Sequence, residues 1–200
     1  MPTELAETHH EFLKNGVCLH ASAVNVSGKA LVFLGHSTAG KSTISRLLAE
    51  RYPIIADDKV FVFQVKKGGW MICDGSDNFP LVKGKANPLA NQEKFPLLNV
   101  LRIFKAELKE ITPASPILTC KYLVDAIFEV DRQRKQKDLG VIKKWFGVAA
   151  KISRQINGYR LTFPKDKSII NVIHDVFDES FFDDFSRREI KVCCERSANE

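Results

Sequence analysis

The 200-residue chain contains no apolar run near the roughly 18–20 residues that a membrane-crossing helix needs, so no helical span is expected. Its opening, MPTELAETHHEFLKNG, carries acids and lacks a long apolar core, so it does not read as a secretory signal. The expected location is the cytoplasm, with no membrane partner. Cysteine is present five times, an odd number, and no CxxC pair occurs. A zinc ribbon and a secreted disulfide framework are thereby excluded, which leaves reduced, half-buried thiols and an unassigned Cys193–Cys194 pair near the C-terminus. No internal repeat and no low-complexity stretch is present. The basic segment DRQRKQKDLGVIKKW, residues 131–145, lacks an aromatic stacking platform and is broken by Asp131 and Asp138. It reads as a solvated helix face rather than a nucleic-acid surface. The overall charge of +6 equally suits an anionic nucleotide or an acidic protein partner.

What is present is enough apolar content, 44%, to bury one core. Residues 17–26 and 30–34 read as strands joined by a tight turn at 27–29. Helical spacing of Ile44, Leu47 and Leu48 predicts a helix over 42–52, ended by Pro53. Strands follow at 54–56, 60–65 and 70–73. Residues 74–98, rich in Gly, Pro and Asn, read as a long functional loop in which Lys83 and Lys85 are candidate phosphate contacts or simply solvated charges. A strand at 99–107, a turn and a helix from 115, a helix over 138–154, a strand at 159–163 and a helix over 167–177 complete the pattern. This order predicts a single-domain α/β fold, a mixed sheet with β-hairpins and flanking helices. Residues 1–16 form an N-terminal arm, 17–182 the domain, and 183–200 a polar tail.

Between the strand ALVFL and the helix lie Gly35, His36, Ser37, Thr38, Ala39, Gly40, Lys41 and Ser42, followed by Thr43. They fit G-x-x-x-x-G-K-[ST] in the strand-to-helix context a P-loop requires. The glycines let the chain turn so that successive N–H groups face one anion, and the helix start adds its positive end. Lys41 supplies a point charge for the outer phosphates, and Ser42 a hydroxyl for Mg²⁺. This points to nucleotide binding at residues 35–43. The strand IIADD then brings Asp57 and Asp58 to its end, one helix later. One can reach Mg²⁺ and the other can take a proton from a hydroxyl nucleophile; a solvated acidic turn is the plain alternative. His20, in CLHASAV, either polarises a phosphate or tunes a carboxylate, or is a structural strand histidine. Arg102, in NVLRIF, either neutralises charge on the transferred phosphoryl group or makes a strand-face ion pair.

LHASAV, then GKALVFLGHSTAGKSTISRLLAERYPIIADDKVFV, together resemble the catalytic core of HPr kinase/phosphorylase, whose fold is related to that of phosphoenolpyruvate carboxykinases. The likeness is firm over residues 17–65 and looser over PLLNVLRIFKAELKEITPASP. It implies that Gly35 to Thr43 hold ATP phosphates and that Ser42 and Asp58 hold Mg²⁺. It further implies that Asp57, assisted by His20, is the acid/base on a substrate serine, with Lys41 completing the catalytic set. Thr43 stands where the bifunctional enzymes have an acid, and their glycine-rich second signature has no counterpart here, so the implied activity is the kinase half. Short relatives of this type imply a protein or peptide acceptor. The expected function is therefore ATP-dependent transfer of the γ-phosphoryl group to a serine-type hydroxyl. The alternatives are a nucleotide-binding regulatory module without transfer, or a small-molecule phosphotransferase of the carboxykinase type. GTP or pyrophosphate as donor, and an oligomeric assembly, are left open.

Overall fold

The computed structural model describes residues 16–65, 68–75, 93–130 and 139–178. Lys83, Lys85, most of the loop expected over 74–98, most of the basic run after 130, the N-terminal arm and the polar tail with Cys193 and Cys194 lie outside the described residues. The elements run β1 (Gly16–Val26), β2 (Lys29–Leu34), α1 (Lys41–Leu48), β3 (Ile54–Ala56), β4 (Lys59–Gln64) and β5 (Trp70–Asp74). They continue with β6 (Phe95–Lys105), β7 (Glu110–Ala114), α2 (Pro116–Val130), α3 (Leu139–Gln155), β8 (Gly158–Phe163) and α4 (Ser168–Phe177). The α/β class with a mixed sheet and flanking helices is the one expected from the sequence.

The two long strands do double service. The first half of β1 pairs with β4, and its second half lies between β2 and β3. β6 begins against β5 and then runs parallel to both β2 and β8. The pairings β2–β1–β4–β5–β6–β2 thus close on themselves, while β8 and β7 extend the sheet beyond β6. β2, β6 and β8 are parallel, and β2 is apolar from Ala30 to Leu34, where both its faces are covered. Ala30, Val32 and Leu34 enter the core beneath α2 and α3, whereas Leu31 and Phe33 enter the core beneath α1 and α4. A third, smaller cluster gathers Cys18, Phe61, Phe63 and Cys73. Among the described residues no helix is long and apolar enough to cross a membrane.

The β1–β2 turn places both Ser27 (φ 50°) and Gly28 (φ 81°) in the left-handed region, as a two-residue hairpin of matching twist requires. Ser27 is held there by its hydroxyl, which donates to Asp178 Oδ1 at 2.5 Å. Tyr52 Oη donates to the other oxygen of the same buried carboxylate at 3.2 Å, and His174 Nδ1 lies 3.1 Å from it. This contact explains one departure from the sequence reading. The helix expected over 42–52 stops at Leu48, and the chain turns, with the N–H groups of Arg51 and Tyr52 both donating to the Leu48 carbonyl. The turn delivers Tyr52 to Asp178. A second departure is β7. ITPASP carries two prolines and reads as a turn, yet residues 110–114 pair with β8. β7 ends the sheet path, and Pro113 loses nothing there because an edge strand need not donate outward.

The buried acids of this core set an alkaline limit. Burial pushes the Cys18 thiol up to about 12 and the Cys73 thiol to about 11; burial, then the Asp178 charge, raises Tyr52 to about 12. These groups hold their protons more tightly folded than unfolded. Their contribution is complete below the unfolded values, near 8.5 for a thiol, and is lost as pH rises through the folded ones. Thermal melts should therefore fall in midpoint from about pH 9 upward. A Cys18→Ala/Cys73→Ala variant should show a shallower decline than the parent; equal slopes would mean that the two thiols are not protected.

Candidate functional site

The apolar β2 ends at Leu34 against β6, and the chain must there reverse toward α1 without leaving the sheet edge. Gly35 makes this possible: a Cβ at that position would sit 2.7 Å from the Ala39 Cβ and 3.0 Å from Ile103 Cγ1. The loop closes on itself through Ala39 N–H, which donates to the His36 carbonyl at 2.9 Å. Thr38 (φ 74°) and Gly40 (φ 104°) both adopt the left-handed conformation. For glycine this is free. For a β-branched threonine it costs of order 1–3 kcal/mol, a strain of the kind that clusters at ligand-holding loops. His36, Ser37 and Thr38 are exposed, Ala39, Gly40, Ser42 and Thr43 are partly covered, and Lys41 is buried. Gly40 caps α1 without any side-chain bond to the first-turn amides, so the positive end of the helix stays open to an anion.

Lys41 is folded back on its own loop, donating to the Gly35 carbonyl at 2.7 Å and the His36 carbonyl at 3.1 Å. Both are neutral acceptors that a phosphate oxygen outcompetes. Lys105, at the end of β6, reaches in from the other side to the Thr38 carbonyl at 2.5 Å. α1 itself is anchored beneath the loop, where Ser22 of β1 donates to the Lys41 carbonyl at 3.1 Å.

The two aspartates occupy the bend between β3 and β4, and their side chains diverge. Asp57 is half-buried, with Oδ1 2.8 Å from the hydroxyl of Ser45, one helical turn beyond Ser42. Asp58 is 60% exposed and turns toward β1, its Oδ1 3.2 Å from His20 Nδ1. Its backbone carbonyl accepts the Ala21 N–H at 3.1 Å, which ties the β3 exit to β1. His20 therefore meets Asp58, not Asp57. The opposite ring nitrogen of His20 lies 3.8 Å from Glu129 Oε2, and Glu129 Oε1 lies 3.1 Å from Nδ1 of His36 in the phosphate loop. Glu129, at the end of α2, is thus a buried carboxylate linking the loop to His20. Sequence reasoning missed it. A lone acid in AIFEV carries no local signal, and the His36 it contacts is 93 residues away.

Arg102 lies on β6 with its guanidinium over the Tyr122 ring at 5.5 Å. Among the described residues it makes no ion pair of the sort the strand-face alternative required. Arg160, on β8 beside it, was not foreseen.

Among the described residues, no group of three or more His, Cys, Asp or Glu side chains converges as a metal cage. The oxygen donors at the mouth, Ser42 with Asp57 or Asp58, fit instead a hard cation that takes most of its ligands from phosphate and water, as Mg²⁺ does.

A family model for the SynChlorMet cassette protein ScmC matches residues 6–178. No curated protein matches the chain. Among solved structures, the Hpr(Ser) kinase/phosphatase from Coxiella burnetii aligns at a TM-score of 0.39 and 15% identity, over 80% of this chain and 92% of that one, a distant relationship. With the family model spanning nearly the whole described fold, the chain belongs to the family of the SynChlorMet cassette protein ScmC.

Proposed function

We propose that this protein is an ATP-dependent kinase that transfers the γ-phosphoryl group to a serine-type hydroxyl of a protein or peptide. The observation that carries the reading is the meeting, at the carboxyl ends of parallel strands, of a strained phosphate-type loop with two carboxylates and a histidine. Phosphoryl transfer asks a protein mainly for positioning and charge neutralisation, and these residues supply both. Backbone amides of residues 35–42 and the Lys41 ammonium cradle the phosphates. Ser42 and one aspartate would hold Mg²⁺, which would supply positive charge to offset that developing on the phosphates. The acceptor oxygen attacks the γ-phosphorus, the bond to the β–γ bridging oxygen breaks, and the acceptor proton passes to a carboxylate.

The contacts favour a division of labour opposite to the one the resemblance implied. Asp57, bonded to Ser45 on the loop helix, would be the carboxylate that holds the metal with Ser42. Asp58, exposed and oriented by His20, is the one an incoming hydroxyl reaches. Glu129 steadies His20 and His36 together.

The test is phosphate incorporation from labelled ATP and Mg²⁺ into serine peptides and their alanine counterparts, beside direct nucleotide titration. Lys41→Ala should weaken ATP by about 10–100-fold, the worth of a charged hydrogen bond or two, and abolish incorporation. Unchanged ATP affinity in that variant would remove the nucleotide reading. Tight ATP binding with no transfer to any hydroxyl would instead make the protein a nucleotide-gated binding module.

A further inference from the structure

Ala21 of β1, Leu34 of β2, Arg102 of β6 and Arg160 of β8 are successive register partners, so they form one row straight across the sheet. The row begins at Asp58, whose carbonyl holds the Ala21 amide. It passes the phosphate loop, which leaves β2 immediately after Leu34, and ends on two arginines. Register partners on neighbouring strands share a face. Arg102, only 5% exposed, stacks over Tyr122 at 5.5 Å and lies 6.0 Å from the Phe104 ring, and Arg160 covers that same ring at 4.6 Å. Aromatic rings are all that the two guanidinium groups meet: neither has an ion pair or hydrogen bond among the described residues. Like charges directly opposite across two strands repel, and a buried guanidinium without a counter-charge is costly. An oxyanion between them reverses both terms, in the bidentate geometry that arginine favours.

The nucleotide is not the natural source of that anion. Its phosphates are served by Lys41 and the loop amides, and α1 packs on the sheet face opposite to the one where Arg102 meets Tyr122. We propose that Arg102 and Arg160 bind a carboxylate of the phosphoryl acceptor, which makes the enzyme selective for serine with an acidic residue nearby. The proposal rests on the kinase reading. It also sets a spacing. Asp58 lies one strand position beyond β1, so at about 4.8 Å per strand β6 lies about 14 Å and β8 about 19 Å from it, and an extended peptide advances about 3.3 Å per residue. The acidic residue therefore belongs about four to six positions from the serine, with the peptide crossing the loop ends of these strands, since Ala21 and Leu34 of the row are buried.

The experiment uses the full chain and synthetic alanine-based peptides, each with one serine and one Glu, or one Lys, moved along the sequence. Binding is read by fluorescence anisotropy with Mg²⁺ and a non-hydrolysable ATP analogue, and phosphate incorporation is read separately with ATP. Peptides with Glu about four to six residues from the serine on one side should bind about tenfold tighter than their Lys counterparts. Arg160→Gln and Arg102→Gln should each erase that ratio, and Arg160→Glu should invert it. Arg160 is exposed, so its variants test the idea even if Arg102→Gln unfolds. Equal binding of Glu and Lys peptides by the parent, or a ratio that survives both Gln variants, overturns the proposal. So does a loss of analogue affinity in place of peptide selectivity. A Glu preference in binding with no incorporation into any peptide keeps the subsite and refutes the kinase; incorporation without preference does the reverse.

Discussion

Asparagine at position 58 is expected to leave ATP-analogue affinity within about twofold and to slow phosphoryl transfer by about 10²–10⁴-fold, the usual worth of a positioned acid/base group. The amide keeps the size of the carboxylate and an oxygen for His20 Nδ1, 3.2 Å away, so orientation survives while the capacity to accept a proton is lost. Asp57→Asn is expected to behave differently. Asp57 is tied to Ser45 on the loop helix, and its loss should raise the Mg²⁺ concentration needed for half-maximal rate while part of the maximal rate is retained. Rates measured against acceptor and against Mg²⁺ separate the two effects. An Asp58→Asn variant that transfers at the parental rate would return the acid/base role to Asp57, as the sequence resemblance implied.

Gly158→Ala is expected to be the most destabilising single-methyl change in the fold. Gly158 opens β8, between Val100 of β6 and Ala114 of β7. A Cβ there would lie 2.0 Å from Thr119 Oγ1, 2.7 Å from its Cγ2 and 2.8 Å from its Cβ. Thr119 is 1% exposed, its hydroxyl donates to the Ser115 carbonyl at 3.0 Å, and its short branched side chain has no flexible end to swing aside. Relief must come from moving α2 off β8, at a cost of about 2–3 kcal/mol. The entropy gained by removing a glycine from the unfolded chain returns at most about 1 kcal/mol. The net loss corresponds to a melting shift of roughly 2–8 °C for a protein of this size. Thr119→Ala in the same chain should recover part of it, since the Oγ1 and Cγ2 contacts vanish and only the Cβ contact remains. A double-mutant cycle reads that coupling. Additive effects, or a melting point for Gly158→Ala within about 1 °C of the parent, would show that α2 does not seat this closely. The seating matters for function because the same helix carries Glu129 to His20 and His36.

Most strands and helices were legible because their signals are local. β2 is a continuous apolar run, and the helices announce themselves by apolar spacing. β7 was illegible for the opposite reason: two prolines argue for a turn, and only pairing with β8 overrides them. The end of α1 was misjudged because the pull on Tyr52 comes from Asp178 on the far side of the core. The tight turn between β2 and α1 could be read from eight consecutive residues, since it is a backbone feature that needs glycines at set positions. Which aspartate faces His20, that Glu129 meets both His20 and His36, and that Arg160 lies beside Arg102, could not.

The sequence by itself determined the α/β class and the glycine-bounded turn between β2 and α1, because those properties depend on neighbours along the chain. Only the tertiary structure decided the partners of His20, the divergence of Asp57 from Asp58, and the row that carries Arg102 and Arg160 past the loop. Those are contacts between strands and helices tens of residues apart. Their geometry follows from register and twist, to which no short stretch of residues commits the chain.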